Sequence, residues 1–366
     1  MDEKVRERQA QFELREWTLG QILDHTVARY PDNEAVVYAD RSYRQTWREF
    51  GEMVDRFAKG LMALGVEKGE KVAVWATNVP YWVALQFATA KIGAVLITVN
   101  TNYREHELRY LLTQSECENV FLIDSLRDHD YLETFYRIAP ELRFQSHDSF
   151  VCKNLPHLKR VFFLGAEKHR GMYSVPEVLA LADMVDDADY LARQASLDPW
   201  EAINMQYTSG TTGFPRGVML THVGVGLNGY WIGKHQNFGP NDRVCLPVPL
   251  FHCFGCVLGV SACVNHGATM VIFLSIGLVD KVQQALLESG GYRSGTPAAV
   301  VYKATWPEQK VVRCTVSTLA EETRRNGITK TALIVVGDFL GENYERSKLY
   351  DPAFTTEFRQ GTEAGQ

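Results

Sequence analysis

The densest set of phosphate-binding residue types in this 366-residue chain lies at positions 208–217. Four hydroxyl side chains, three glycines and one arginine occur there in ten residues, in the order Thr208-Ser209-Gly210-Thr211-Thr212-Gly213-Phe214-Pro215-Arg216-Gly217. Glycine permits positive φ, so successive N–H groups can converge on one anion, and hydroxyls donate further hydrogen bonds to phosphate oxygens. The segment therefore predicts a phosphate-binding loop. It does not match Gly-x-x-x-x-Gly-Lys-Ser/Thr, which disfavours a P-loop NTPase.

Cysteines and histidines downstream form a second group with possible chemistry. Cys253 and Cys256 are separated by two residues, with His252, Cys263 and His266 nearby in the sequence. Such spacing can hold zinc or form a redox pair. Most residues around them are apolar, however, and in an apolar helix cysteine behaves as a small hydrophobic residue. We therefore expect no metal site here.

The strand that must position the loop is predicted directly before it. Ile203, Met205 and Tyr207 alternate along the sequence as the residues of a strand do, which predicts a buried strand before the loop. Earlier in the chain, apolar runs of strand length alternate with segments of helical period; these runs are residues 72–75, 94–97, 120–123 and 161–164. This alternation predicts an α/β fold with layered α/β/α, mostly parallel sheets.

Helix boundaries are also visible in the sequence. Thr18 and Gln21, and again Thr46 and Glu49, have the spacing of capping boxes ahead of apolar residues at helical intervals. Gly65 is expected to end the second of these helices. A third helix is predicted at Tyr81–Ile92.

Composition excludes several classes of protein. At about 150 residues per domain, the length predicts two or three domains. Lys and Arg number 38 against 44 Asp and Glu, a net charge of −6, so no polybasic field is available for nucleic acid or an anionic membrane.

Seven cysteines are too sparse for a disulfide framework, and the charged N-terminus lacks a signal-peptide pattern, which predicts a cytoplasmic location. Residues 244–279 carry no Asp, Glu, Lys or Arg, but prolines and glycines divide them into short pieces, so no transmembrane segment is expected.

Residues 207–217, with Leu220-Thr221-His222 after them, resemble the phosphate-binding loop of the AMP-forming adenylating enzymes, which include acyl-CoA synthetases. The resemblance covers about residues 17–274. Residues 249–255, Pro-Leu-Phe-His-Cys-Phe-Gly, are similar to the family's second core motif, and residues 75–78 and 94–100 resemble the early sheet of fatty acyl-CoA synthetases. Within the family, these segments look most like those of the medium- to long-chain fatty acid–CoA ligases.

This resemblance implies the chemistry of an acid–thiol ligase. Such enzymes join a carboxylic acid, here a fatty acid, to ATP with Mg²⁺, and then exchange AMP for coenzyme A. The resemblance assigns an acyl pocket to His252, Phe254 and Gly255. It assigns the ATP phosphates to Thr208, Ser209, Gly210, Thr211, Thr212, Gly213 and Arg216. Arg216 stands where the family usually has lysine, and a planar guanidinium replaces a compact charge there.

The last ninety residues resemble a different family. Residues 296–307, 328–337 and 347–351 are similar to the end of precorrin-4 methyltransferase, a tetrapyrrole methylase that uses S-adenosylmethionine in cobalamin biosynthesis. That resemblance implies possible S-adenosylmethionine contacts, which are Ala299, Tyr302, Lys303, Ala304 and Thr305. We therefore predict an incomplete AMP-binding domain at residues 1–274, a methylase C-terminal half-domain at 275–359 and a tail at 360–366. A natural fusion, recombination or a deliberate chimera would each produce a join near residues 267–275.

The function predicted from the sequence is that of an ATP-dependent acyl-CoA synthetase, with two alternatives left open. After Leu274 the chain has no Tyr-Gly-x-Thr-Glu, no Thr-Gly-Asp and no Gly-Lys segment, and the first resemblance assigns to these the magnesium carboxylate, the ribose carboxylate and the adenylation lysine. We therefore expect weak or no ligase activity from the chain. The alternatives are a methyltransferase acting on a corrinoid precursor and a non-catalytic nucleotide-binding chimera.

Overall fold

The computed structural model describes most of the chain in nine segments. These are residues 16–38, 42–126, 128–208, 215–272, 279–288, 291–302, 308–329, 332–337 and 340–341. The chain divides into two compact units between Phe273 and Leu274.

Strands and helices alternate along the first unit. Its strands are β1 (Glu34–Tyr38), β2 (Tyr43–Thr46), β3 (Lys71–Trp75), β4 (Val95–Thr98), β5 (Asn119–Leu122), β6 (Ser125–Leu126), β7 (His129–Asp130), β8 (Arg160–Phe163), β9 (Tyr173–Ser174), β10 (Ala202–Thr208), β11 (Arg216–Thr221), β12 (Arg243–Leu246) and β13 (Thr269–Ile272). Its helices are α1 (Leu19–Arg29), α2 (Trp47–Ala63), α3 (Tyr81–Ile92), α4 (Glu105–Gln114), α5 (Tyr131–Ile138), α6 (Val175–Ala180), α7 (Asp187–Ala195), α8 (His222–His235) and α9 (Ala262–His266). A π-helix, Phe254–Ser261, leads directly into α9.

The main sheet has seven strands in the order β11-β10-β4-β3-β5-β8-β9. All neighbours are parallel except β11, which returns antiparallel to β10 at the edge. Every residue of β4 and β5 is buried, which requires cover on both faces of the sheet. The prediction of a mostly parallel α/β sheet is confirmed, and the four strand runs predicted from the sequence lie within one residue of β3, β4, β5 and β8.

A second sheet has the order β12-β13-β1-β2, with β12, β13 and β1 parallel and β2 antiparallel at the edge. It accounts for the uncharged run of residues 244–279, whose described part forms β12, the π-helix, α9 and β13. Within the described segments, none of the helices has the length and hydropathy needed to cross a bilayer.

Local signals set the helix boundaries as the sequence predicts. The Thr18 hydroxyl accepts from the N–H of Gln21 at 3.2 Å, and the Gln21 side chain accepts from the N–H of Thr18 at 2.8 Å. Thr46 and Glu49 make the same reciprocal pair at the start of α2. Gly65 adopts φ 75° just after α2, a conformation that costs glycine little.

A buried cation lies where α1, α2 and α3 meet. Lys91, with 1% of its side chain exposed, places its Nζ 2.5 Å from a carboxylate oxygen of Asp24 and 2.6 Å from one of Asp55. The Tyr190 hydroxyl, from α7, also donates to Asp55 at 2.7 Å. Partial burial raises the pKa of Asp24 above its usual value, although the ammonium opposes that shift. Four helices are therefore joined by one charged cluster.

The second unit is a small α/β structure with its own core. Strands β14 (Pro297–Tyr302), β15 (Lys310–Thr315) and β16 (Ala332–Val336) form an antiparallel sheet in the order β15-β14-β16. Helices α10 (Val279–Glu288) and α11 (Leu319–Arg325) contribute to its core. The buried core residues are Val279, Ala298, Val300, Val312, Leu319, Ala320 and Ile328.

Candidate functional site

The structure places both ends of the predicted phosphate loop in one β-hairpin. Thr208, at the end of β10, pairs with Arg216, at the start of β11, and both residues are exposed. Because β10 runs parallel to β4, the hairpin lies at the carboxyl edge of a parallel strand, where α/β sheets bind ligands. Five predicted phosphate-binding residues lie outside the described residues, so their roles remain predictions; these are Ser209, Gly210, Thr211, Thr212 and Gly213.

The strand leading into the loop, β10, is buried on both faces. Asn204 and Gln206 are buried together with Ile203 and Met205, while Tyr207 is half-buried. β10 lies between β4 and β11 in the sheet, and consecutive residues 203–206 are all buried, so both of its faces are covered. Its polar side chains must then find partners inside the protein.

Gln206 satisfies this requirement with a network of hydrogen bonds. Its Oε1 accepts from the Thr98 hydroxyl at 3.0 Å, and its Nε2 donates to the Asn204 Oδ1 at 2.9 Å. The same nitrogen donates to the Cys256 Sγ at 3.3 Å. Since the amide uses both ends, its orientation is fixed. Two residues before the loop, β10 is therefore tied to the π-helix.

Cys256 is the point at which the second core motif meets the sheet. Besides the bond from Gln206 to its sulfur, its carbonyl accepts from the Gln86 Nε2 at 3.0 Å, and its thiol faces the His252 carbonyl at 3.5 Å. Burial raises the pKa of the Cys256 thiol to about 12. The residue is therefore a neutral hydrogen-bonding group at neutral pH, neither a nucleophile nor a ready metal ligand.

Asn78 holds the chain just before the second core motif. Its Nδ2 donates to the Val248 carbonyl, and its Oδ1 accepts from the Leu250 N–H, both at 2.9 Å. The two bonds fix the segment on either side of Pro249. Three segments that the sequence comparison singles out, around residues 78, 206 and 252, are thus connected by side-chain hydrogen bonds.

The predicted acyl-pocket residues lie at the beginning of the π-helix. The His252 Nδ1 accepts from the Phe254 N–H at 3.1 Å, so a neutral His252 carries its proton on Nε2 and can donate from there. Phe254 is 54% exposed, unlike the apolar residues that follow it. Gly255 cannot be replaced without movement, because an added Cβ would lie 2.4 Å from the Pro249 carbonyl oxygen. Close backbone packing therefore positions His252 and Phe254.

The cysteine and histidine group downstream is dispersed in the fold. Cys256 and Cys263 are buried, while Cys253 is exposed beside His252. Across the part of the chain that the structure describes, no three His, Cys, Asp or Glu side chains are arranged to hold a metal ion. Burial also raises the pKa of Cys263 to about 12.

The predicted S-adenosylmethionine contacts fall in the second unit. Ala299 is buried in β14, and Tyr302 is half-buried at the end of that strand. Lys303, Ala304 and Thr305 lie outside the described residues. Their proposed role in cofactor binding therefore stays a prediction.

Sequence reasoning did not find the residues that connect the motifs. Gln206 and Gln86 lie among apolar residues in the sequence, but their hydrogen-bond partners are distant along the chain, and Asn78 carried no assigned role. One signal was available, since polar residues inside a strand next to a binding loop are candidates for internal hydrogen bonding.

A largely parallel sheet, with a hydroxyl-rich hairpin at its carboxyl edge tied to a His-Cys-Phe-Gly helix, matches the N-terminal domain of the adenylating enzymes. A long-chain-fatty-acid–CoA ligase from Archaeoglobus fulgidus has this fold, with a TM-score of 0.61 at 22% identity over 77% of this chain and 52% of that one. The family model of the AMP-binding enzymes matches residues 23–288. The chain belongs to the AMP-binding enzyme family.

Similar proteins agree with this assignment. The acyl-CoA synthetase YngI of Bacillus subtilis (strain 168) is 48% identical over 71% of this chain and 47% of its own length. The mitochondrial medium-chain acyl-CoA ligase of Danio rerio is 35% identical over 72% of this chain and 44% of its own. The chain spans about half the length of these relatives.

A second family model matches the region around the boundary between the units. The model of the tetrapyrrole (corrin/porphyrin) methylases covers residues 259–320 and overlaps the AMP-binding match over residues 259–288. It begins inside the π-helix of the first unit and ends in α11 of the second.

Proposed function

We propose that the chain binds ATP and a carboxylic acid as the N-terminal part of an AMP-forming acyl-CoA ligase. The observation that carries this proposal is the hydrogen bond from Gln206 to Cys256. It joins the strand of the predicted phosphate loop to the helix of the predicted acyl pocket. Nucleotide and acid would then bind next to each other, as adenylate formation requires.

The chemistry assigned to the residues follows from their types. Loop N–H groups and hydroxyls bind the phosphates, and Arg216 offsets their negative charge. The resemblance implies two steps: the acid carboxylate attacks the α-phosphorus, the bond from that phosphorus to the oxygen shared with the β-phosphate breaks, and pyrophosphate leaves. The coenzyme A thiol then attacks the acyl carbon, the bond from that carbon to the AMP phosphate oxygen breaks, AMP leaves, and the thiol proton passes to solvent. His252, with its proton on Nε2, is a donor suited to an oxygen of the bound acid.

We propose a medium- or long-chain fatty acid as the substrate, because the relatives are named for such acids. A requirement for Mg²⁺ is a further prediction from the resemblance, and a cytoplasmic location is a prediction from the sparse cysteines and the charged N-terminus. The described residues offer no cluster of carboxylates for the metal, so no step here is assigned to it.

The loop assignment predicts that Thr211→Ala weakens ATP binding roughly tenfold or more. The change removes one charge-assisted hydrogen bond to phosphate, worth about 1.5 to 3 kcal/mol. Titration calorimetry of ATP against both proteins measures this. The matched control is Thr113→Ala, at an exposed position of α4, which should leave the affinity unchanged. Equal ATP affinity in wild type and Thr211→Ala would remove the loop from the site.

The methylase match makes an S-adenosylmethionine-dependent methyltransferase the second candidate. We expect S-adenosylmethionine to give no substantial thermal stabilisation, because the resemblance supplies only one of the two domains that hold this cofactor, and stabilisation follows occupancy. Thermal unfolding at millimolar S-adenosylmethionine or ATP tests this. A rise of several degrees with S-adenosylmethionine alone would favour the methyltransferase.

A further inference from the structure

Helix α4 contacts the β10–β11 hairpin beside each of the two ends of the predicted phosphate loop. The Tyr110 hydroxyl donates to the Pro215 carbonyl at 3.3 Å. The Tyr207 hydroxyl donates to the Gln114 Oε1 and lies 3.5 Å from the Leu111 carbonyl. Tyr110 and Gln114 are four residues apart and so lie on one face of the helix. One helical face therefore holds the residue before Thr208 and the residue before Arg216.

Helix α4 is firmly anchored to the first unit. Leu108, Leu111 and Leu112 are buried, and the Ser115 hydroxyl caps the Leu111 carbonyl at 2.7 Å. Just beyond the helix, the Cys117 N–H donates to the Leu112 carbonyl at 3.0 Å. The helix is therefore a fixed support for the hairpin.

The chemistry of the two contacts suits permanent attachment. Burial raises the pKa of Tyr207 to about 12, so its hydroxyl keeps its proton and remains a donor. Pro215 has no N–H, and its carbonyl is its one backbone hydrogen-bonding group. It also lies beyond the last ladder pair, Thr208 with Arg216. Tyr110 therefore holds a position that the sheet itself does not hold.

We propose that Tyr110, Gln114, Tyr207 and Pro215 form a clamp that fixes the separation of the two loop ends. A loop with fixed ends binds phosphate at a lower entropic cost, because fewer conformations are lost on binding. This effect on binding rests on the proposed function. Tyr110 and Gln114 are positioning residues, because they act on the nucleotide through the hairpin.

The first test is independent of any nucleotide. Trypsin can cleave after Arg216 only when the start of β11 opens, so the rate of this cut, followed by mass spectrometry, reports local opening. We expect Tyr110→Phe and Gln114→Leu each to raise it roughly 3- to 10-fold, the range expected for one lost hydrogen bond. The control is Tyr136→Phe, which removes a half-buried tyrosine hydroxyl of α5 that donates to the Arg170 carbonyl at 2.9 Å instead of to the hairpin.

The second test measures affinity for ATP, AMP and adenosine by calorimetry. The clamp predicts that Tyr110→Phe weakens ATP and AMP roughly 3- to 10-fold while the adenosine affinity stays at the wild-type value and the melting temperature falls by no more than the few degrees expected for one lost hydrogen bond. A general loss of structure would lower all of these together. Tyr136→Phe should leave all three affinities at wild-type values.

The two tests separate the clamp from the proposed function. If wild type binds no ATP, the proposed function is wrong, and the clamp is decided by the cleavage rates alone. If wild type binds ATP, but Tyr110→Phe and Gln114→Leu change neither cleavage nor phosphate affinity, the clamp is wrong and the function stands.

Discussion

Replacing Lys91 by methionine is expected to lower the free energy of unfolding by about 2–4 kcal/mol. The change leaves Asp24 and Asp55 without their shared cation, and Tyr190 bonded to an unpaired carboxylate. Removing one partner of a fully buried pair costs about 3–5 kcal/mol. We expect the lower range of about 2–4 kcal/mol because both carboxylates are about half-exposed and water can solvate them. Urea unfolding followed by tryptophan fluorescence measures the loss.

An exposed ion pair provides the control. Lys168 is 78% exposed and pairs with Glu177 at 3.0 Å, so Lys168→Met should change stability by less than about 1 kcal/mol. Adding Asp24→Asn and Asp55→Asn to Lys91→Met should recover part of the loss, because the unpaired charges are gone. If Lys91→Met and Lys168→Met had equal effects, the cluster would not join the helices energetically.

A polypeptide of these 366 residues is expected to exchange pyrophosphate into ATP at least a hundred- to a thousandfold more slowly than the about 10 per second typical of enzymes. The loop can position phosphates, but the sequence after Leu274 lacks the magnesium, ribose and lysine motifs that the resemblance assigns to catalysis. Loss of one group that stabilises developing charge costs about a hundred- to a thousandfold by itself.

The assay uses octanoate, laurate and palmitate as the acid, with a full-length acyl-CoA synthetase as the positive control. ATP binding measured in the same preparation shows that the protein is folded. Turnover near 10 per second would mean that residues 275–366 supply substitutes for the absent motifs, and the join predicted near residues 267–275 would then be wrong.

The parts of the fold that could be predicted are those that local sequence determines. The capping boxes at Thr18 and Thr46 and the helix Tyr81–Ile92 depend on residues within a turn or two of each other, and they occur as predicted. Lys91 had no such signal. Its partner Asp24 is 67 residues away, and only the packing of three helices makes it a buried residue.

In the candidate site, too, the features set by local sequence could be predicted, and those set by long-range packing could not. The phosphate loop is visible because its composition is unusual over ten consecutive residues. The connection from Gln206 to Cys256 spans 50 residues and depends on how the π-helix packs against β10, which the alternation of residues within the strand does not indicate. The π-helix also went unpredicted, since apolar residues at 254–261 give the same pattern for an α-helix.

The second sheet imposes an order of events on a growing chain. β1 pairs with β13, and the paired residues Val36 and Met270 are separated by more than 230 positions. At about 5–20 residues per second, a ribosome needs roughly 12 to 47 seconds to make that intervening stretch. Until then β1 has only the short neighbour β2, and a two-stranded hairpin is marginal in water. Closure of this sheet is therefore a late step of biosynthesis, and during that interval the apolar strand β1 is a site for chaperone capture or misassociation.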